Sequence, residues 1–361
     1  MTQSISVTEF TELCTQVLST QGFSDEEVDA CTDEFVDAQC RGINTHGASI
    51  IMLYLEFMLE GALGPIETVK DTPISAFING NNNAGPAVAR RAMDIAIDKA
   101  HASGVAIVGA NNRAPFCCAG FNPRRAAEQG LIGINFSVGG YIDFPAYGSM
   151  EQVMASNPTG IAVPTNDDPV VLDMSFSSLG GGAGSRAGVR TAREAKFQLP
   201  EGSALSKEGL PTTDPDEVLE GIVTLFGGHK GAGLSLMMDL MARPFLGGKI
   251  ENDNPRIRSM TFIAIRPDLF VSTEQFLNDA TELAANVRAS RPRPGFDEVM
   301  LPGQNSDREL ARTLRDGIAI TDNPKQDKTG SAISRKVYEQ LKQLAVEKIN
   351  EIPAEFRRKL D

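Results

Sequence analysis

Four short segments combine residue types that could move a proton or hold an anionic ligand. The first is Arg41-Gly42-Ile43-Asn44-Thr45-His46-Gly47, between two helical stretches. Thr45 is placed to cap the helix that follows, which would put His46 at that helix's positive end, where the dipole disfavours imidazolium and lowers the pKa. A histidine tuned in this way can donate or accept a proton near neutral pH. The same position suits a polar residue bonded to backbone at a helix start, and spacing alone leaves both readings open.

The second segment, Gly227-Gly228-His229-Lys230-Gly231-Ala232-Gly233, opens an apolar helix. Its glycines let a ligand approach the backbone, helix-start amides attract anions, and Lys230 adds a point charge. It lacks P-loop spacing, and a glycine-rich turn with one solvated lysine fits equally well. In the third, Gly182, Gly184 and Ala187 within Gly180 to Gly188 match a relaxed dinucleotide fingerprint. The acidic second strand that the fingerprint needs is replaced by Arg190, Arg193 and Lys196, so a flexible loop is expected there. The fourth, Asn111 to Gly120, follows a strand, where ligand loops tend to sit. Its Cys117 and Cys118 read as small buried residues. His101 reads as a surface residue.

Several elements must position these segments. Ser6 with Glu9 and Ser24 with Glu27 have capping-box spacing, and Val28, Cys31, Phe35 and Ala38 share a helical face. A third helix is expected from Ile50 to Leu59. Strands are expected at 74–78, 104–110, 131–138, 159–163, 170–174 and 260–265, and helices at 86–102, 233–245, 273–290 and 331–349. This alternation predicts an α/β or α+β chain. The expected organisation is an N-terminal helical segment, 1–70, packed with C-terminal helices over 305–361, around a central sheet domain at 71–304 that carries the site.

Composition narrows the function. Thirty-four basic against 47 acidic residues leave a net charge of −13, which argues against nucleic-acid or anionic-membrane partners. Hydrophobic and charged fractions of 41% and 22% are those of a globular chain. No apolar run approaches a membrane span, the first residues show no basic segment followed by an apolar run, and five cysteines without a CxxC pair read as reduced thiols. A cytoplasmic protein is expected. With only three histidines, His46, His101 and His229, no metal site is expected.

The segments RGINTHG at 41–47, GVAIVGANN at 104–112, AAEQGLIGIN at 126–135, SNP at 156–158, VLDMS at 171–175, GLPTTDP at 209–215, GGHKGAGLSLMMDL at 227–240 and LPGQ at 301–304 resemble, in this order, the non-Rossmann family of malate, L-lactate, sulfolactate and ureidoglycolate dehydrogenases. The resemblance spans nearly the whole chain. It implies a mixed, largely antiparallel sheet, packed terminal helices, a homodimer, and a nicotinamide cofactor near the subunit interface. It also implies cofactor contacts from Ser156, Asn157, Pro158, Asp173, Met174, Ser175, His229, Lys230, Pro302, Gly303 and Gln304. His46 aligns with the family's proposed proton donor, beside Arg41 and Thr45 on the substrate side.

Four positions depart from the family pattern. Pro115 stands where relatives carry a second histidine, Ile50 where an arginine is common, and Gly139 and Gly140 where a polar pair meets substrate. The reading is therefore an NAD(P)-dependent oxidoreductase that reduces a keto acid or cyclic imine, or oxidises the corresponding hydroxy or amino acid, on a substrate unusual for the family. A lyase or isomerase on the same scaffold, or an inactive ligand-binding member, are the alternatives. Arg186, Arg190 and Arg193 could hold a 2′-phosphate by charge-assisted bonds, so NADP(H) is expected over NAD(H).

Overall fold

The computed structural model describes residues 3–52, 54–55, 62–113, 118–139, 142–180, 185–194, 196–247, 258–324 and 330–349. In chain order these form β1 (Gln3–Ile5), α1 (Val7–Gln21), α2 (Asp25–Cys40), a 3-10 turn (Ala48–Ile50), β2 (Glu67–Asp71), β3 (Ser75–Asn79), α3 (Gly85–Ser103), β4 (Val105–Arg113), α4 (Phe121–Ala127), β5 (Ile132–Gly139), β6 (Phe144–Pro145), β7 (Gln152–Met154), β8 (Thr159–Val163) and β9 (Val170–Met174). The second half adds α5 (Ser185–Glu194), β10 (Ala204–Leu205), α6 (Pro215–Glu220), β11 (Ile222–Val223), α7 (His229–Ala242), β12 (Arg258–Ile265), a 3-10 turn (Pro267–Leu269), α8 (Thr273–Arg288), α9 (Gln304–Asp316), β13 (Ile318–Thr321), β14 (Ala332–Ser334) and α10 (Arg335–Val346).

The main sheet runs β2-β3-β4-β12-β5-β8-β9. Only β3 and β4 pair in parallel, across the α3 crossover, and every other neighbour is antiparallel. This is a mixed α/β fold and not the doubly wound parallel kind, which explains why no dinucleotide fingerprint follows the first strand. α3 lies on the sheet through Ala89, Ala92, Ala96 and Ala100 with Val88 and Met93, all buried, and its small side chains let helix and strands approach closely.

A second core joins the two ends of the chain. Phe10, Leu18 and Phe35 of α1 and α2 pack with Ile318, Ile333 and Leu341 from the C-terminal part. Burying each such side chain contributes about 1.5–3 kcal/mol. Gln21 closes this layer, its Nε2 donating to the Leu344 and Glu347 carbonyls at 2.7 and 2.8 Å. Both capping boxes form, with Ser6 and Ser24 reciprocally bonded to Glu9 and Glu27. A third core, under Phe144, Met154, Phe176, Val223 and Leu225, holds the small strands and α5 to α7 together.

Several expectations need correction. Ala332–Ser334, read as the start of a helix, is a strand paired with β13, and Ser334 caps the helix that begins only at Arg335. The loop expected after the glycine run is helical from Ser185 to Glu194. α7 starts at His229, four residues before the expected Gly233, so His229 and Lys230 lie on the helix itself. β1, β2, α4 and α6 are short and fall outside the expected elements, whereas α9 lies in the stretch 305–361 that was expected to be helical.

Candidate active site

The turn that carries His46 is closed by its own backbone. Gly42 and Ile43 donate to the Gln39 and Ala38 carbonyls at 3.1 and 2.9 Å, and His46 donates its amide to Ile43 at 2.8 Å. The helix expected from Ile50 is preceded by the 3-10 turn Ala48–Ile50, whose cap is Gly47, without any side-chain capping bond. Residues 53 and 56–61 of that stretch lie outside the described residues. Thr45 therefore does not cap. Its Oγ1 instead sits 2.9 Å from Nδ1 of the neighbouring His46.

His46 is half-buried, and burial pushes its pKa down to about 4. The direction agrees with the sequence expectation while the cause differs, being desolvation of the imidazolium rather than a helix dipole. At neutral pH the ring is uncharged.

Arg41 points into a cluster of charges. Its Nε donates to both Asp37 oxygens at 2.8 Å, and its Nη1 donates to Oδ1 of Asp307 on α9, which also accepts from Arg124 at 2.8 Å. Burial, which would weaken the guanidinium, is outweighed by these two carboxylates, so its pKa rises. Arg41 thus meets carboxylates of its own chain. Ile50 packs half-buried against the terminal core.

The cofactor-side residues of the sequence reading fall along the edge formed by β8 and β9. Asp173 on β9 sends Oδ2 to the Gly120 amide at 2.9 Å, tying the edge strand to the start of α4. Dense protein around the carboxylate pushes its pKa up to about 6, the nearby Asp37 charge adds to this, and the Gly120 and Ala119 amides oppose it. Met174 is half-buried and Ser175 exposed. Asn157 is fully buried, its Nδ2 donating to Ser235 Oγ at 3.0 Å and the Ser235 carbonyl at 3.2 Å, so it locks β8 to α7, while its Oδ1 has no partner among the described residues. Ser156 accepts Phe176 N–H through its carbonyl at 2.8 Å, and Pro158 accepts Ser137 N–H at 3.0 Å.

At the start of α7, His229 and Lys230 are both exposed, and the His229 ring meets Tyr147 edge-on at 5.7 Å. Pro302 and Gln304 line a cavity of about 480 Å³ with Thr165, Asp168, Arg288 and Arg308. Gly303 between them holds φ +84°, and a Cβ there would lie 2.8 Å from the Val171 carbonyl, so only glycine lets this loop rest against β9. Arg190 is exposed on α5, and Arg193 pairs with Asp216 at 2.6 Å. The Arg186 side chain, Pro115, Cys117 and Gly140 lie outside the described residues, and Gly139 ends β5. Cys118 is buried, as expected, and His101 is exposed near the end of α3.

Among the described residues no three His, Cys, Asp or Glu side chains gather as a metal site, and no helix is long and apolar enough to cross a membrane. Sequence reasoning missed Gln39, Asp37, Asp307 and Arg124, which surround the His46 turn. Asp37 meets Arg41 at i,i+4 spacing, a signal present in the sequence, whereas Asp307 and Arg124 join the cluster only across the fold, where no local spacing announces them.

A mixed sheet of this order with a histidine-bearing turn between N-terminal helices is the architecture of a class of nicotinamide-dependent oxidoreductases distinct from the doubly wound dehydrogenases. The malate/L-lactate dehydrogenase family model matches residues 5–327, and the chain belongs to that family. It is 32% identical over 346 residues to L-sulfolactate dehydrogenase of Methanocaldococcus jannaschii, covering 93% of this chain and 94% of that one. The solved structure of that enzyme superposes with a TM-score of 0.83 at 30% identity, over 95% of this chain and 96% of the other. The NAD(+)-dependent ureidoglycolate dehydrogenase of Escherichia coli is 29% identical over 91% of this chain and 95% of its own. A Δ1-pyrroline-2-carboxylate/Δ1-piperideine-2-carboxylate reductase of Pseudomonas syringae pv. tomato is 29% identical over 88% of this chain and 93% of its own.

Proposed function

We propose that the chain interconverts a 2-oxo acid or cyclic 2-imino acid with its hydroxy or amino counterpart, using NADP(H) in preference to NAD(H), as a cytosolic homodimer. The reading is supported by relatives that are named for sulfolactate, ureidoglycolate and pyrroline or piperideine carboxylates, substrates of both C=O and C=N chemistry.

The observation that carries the reading is the Thr45 Oγ1 to His46 Nδ1 contact of 2.9 Å. A hydroxyl can donate or accept. In the reductive direction the protonated ring, with Nδ1–H donating to Thr45 Oγ1, gives its Nε2 proton to the substrate oxygen or nitrogen and is left neutral with the remaining proton on Nδ1. When Nδ1–H donates to Thr45, Nε2 is a base and takes the proton back in the oxidative direction. With its pKa lowered to about 4, His46 is ready as a base at neutral pH. In the reductive direction the negative charge of a bound carboxylate substrate would favour protonation of the ring.

The residues present fit a nicotinamide dinucleotide. Bound nicotinamide supplies or accepts the hydride at the substrate carbon. Asp173, Met174 and Ser175 offer a partly open strand edge, and the cavity beside Pro302 and Gln304 has the volume of a small-molecule site. His229 and Lys230 present an exposed cation at a helix start, suited to a phosphate. Arg186 and Arg190 on α5 are the candidate partners of a 2′-phosphate, and Arg193 would join them by leaving Asp216. Asn157, held by α7, orders the bend between the two rather than offering its amide to solvent.

The homodimer is supported by α7. Leu236, Met237, Leu240 and Met241 are 40–52% exposed along one helix, and Phe245 beyond it is 63% exposed. A contiguous apolar surface of this kind marks a subunit interface, and a second copy of the chain covers it in the proposed assembly. Fluorescence titration with NADPH and NADH, followed by turnover against a panel of 2-oxo and cyclic 2-imino acids, tests the reading. Binding of neither nucleotide would refute it.

A further inference from the structure

Gln39 is fully buried in the last turn of α2, seven residues before His46. Its side-chain amide is shared among three partners. Nε2 donates to Asn44 Oδ1 at 2.7 Å and to the Ala332 carbonyl at 3.2 Å, and Oε1 accepts the Ala48 amide at 3.0 Å. Its main-chain carbonyl accepts Ser331 Oγ at 2.7 Å. Asn44, in turn, donates to the Gly330 carbonyl at 2.7 Å and accepts the Ala332 amide at 3.2 Å.

These bonds bracket the histidine. Residues 44 and 48 stand two positions either side of His46, and one side chain holds both. The intervening Gly47 lies so close that a Cβ on it would sit 2.4 Å from Gln39 Oε1 and 2.9 Å from Gln39 Cα. The backbone around His46 therefore rests directly on Gln39, and through Ala332 and Ser331 on the strand β14 from the other end of the chain. Thr45 bonds the ring, while Gln39 fixes the peptide from which the ring projects.

We propose that Gln39 is the positioning residue for His46, holding the turn so that the imidazole meets the substrate at the reacting distance. The inference rests on the reading of His46 as the proton-transfer group. Its physical basis is that a displacement of about 1 Å in a reacting group can cost about 10²-fold in rate. A residue that acts only by stabilising the fold would instead lower the melting temperature and leave kcat at low temperature untouched.

The test is a double-mutant cycle on the full-length protein. Gln39→Met keeps the volume and removes every side-chain hydrogen bond, and Gln39→Glu keeps the acceptor toward Ala48 while removing both donors. Circular dichroism establishes the temperature below which each variant is folded, and kinetics with NAD(P)H and the substrate identified for the wild type are measured there. The expected result is a kcat at least about tenfold lower for a folded Gln39 variant. Its NAD(P)H dissociation constant should stay within about twofold of wild type, and adding the same substitution to His46→Ala should cost no further rate. A folded Gln39 variant with wild-type kcat overturns the proposal, as does a loss of the same factor in the His46→Ala background. Full kcat in His46→Ala alone would instead remove the functional reading beneath it.

Discussion

Oδ1 of Asp307 accepts from two guanidiniums at once, Arg41 from the end of α2 and Arg124 from α4 at 2.8 Å. One carboxylate on α9 thus fastens the His46 turn to the helix that follows the Pro115 segment. Arg41, which the family pattern places on the substrate side, is held by this bond and by Asp37.

Removing Asp307 leaves two buried cations short of a partner. Asp307→Asn is expected to lower unfolding free energy by about 3 kcal/mol, the cost of breaking a largely buried pair from one side. Urea denaturation checks this. A loss under about 1 kcal/mol would place the cluster with ordinary surface pairs.

The depressed His46 pKa makes a prediction about acid stability. The unfolded chain binds a proton at this residue below its ordinary pKa near 6.5, whereas the folded chain does so only below about 4. The contribution is complete above about 6.5 and is lost as pH falls from there through 4, up to about 3 kcal/mol at about 1.4 kcal/mol per pKa unit. Asp173, raised to about 6, works in the opposite sense, since the folded state holds its proton more tightly than the unfolded chain. The His46→Asn variant should therefore lose less stability than wild type between pH 6.5 and 4, and Asp173→Asn should lose more. Parallel melting curves across that pH range would contradict both assignments.

Much of the fold was legible because its signals are local. Ser6, Ser24 and their glutamates mark helix starts, and the runs at 159–163 and 170–174 are strands with the boundaries expected of them. What was illegible depends on distant partners. Ala332–Ser334 reads as helix because its hydrogen bonds go to β13 and to the 39–44 turn, nearly three hundred residues away. β2, with the sequence ETVKD, is exposed throughout and alternates weakly. At the site, the residue types of the His46 turn were visible, but Gln39 looked like an ordinary helix residue because nothing in its neighbours announces Ala332 or Ala48.

The apolar stripe on α7 predicts an oligomer. Wild type is expected to scatter light as a dimer at micromolar concentration, and Met237→Glu with Leu240→Glu should shift it toward monomer, since a like-charged pair buried at an interface is strongly unfavourable. A monomeric wild type would contradict the proposed assembly.

Cofactor preference turns on α5. Replacing Arg186, Arg190 and Arg193 together by alanine should weaken NADPH by at least about tenfold while leaving NADH within about twofold, because only the 2′-phosphate gains charge-assisted bonds there. Equal affinity of the two nucleotides for wild type, unchanged by the substitutions, would assign the helix to the surface.

The central claim is that His46 moves the proton while other residues hold the nucleotide. The most direct measurement is kcat and NAD(P)H affinity of His46→Ala beside Lys230→Ala on a substrate that wild type turns over. His46→Ala is expected to lose about 10²- to 10⁴-fold in kcat with nucleotide affinity nearly unchanged, the range typical of general acid–base catalysis. Lys230→Ala should weaken nucleotide binding first. A His46→Ala protein that keeps full kcat would contradict the account and leave the proton to another group.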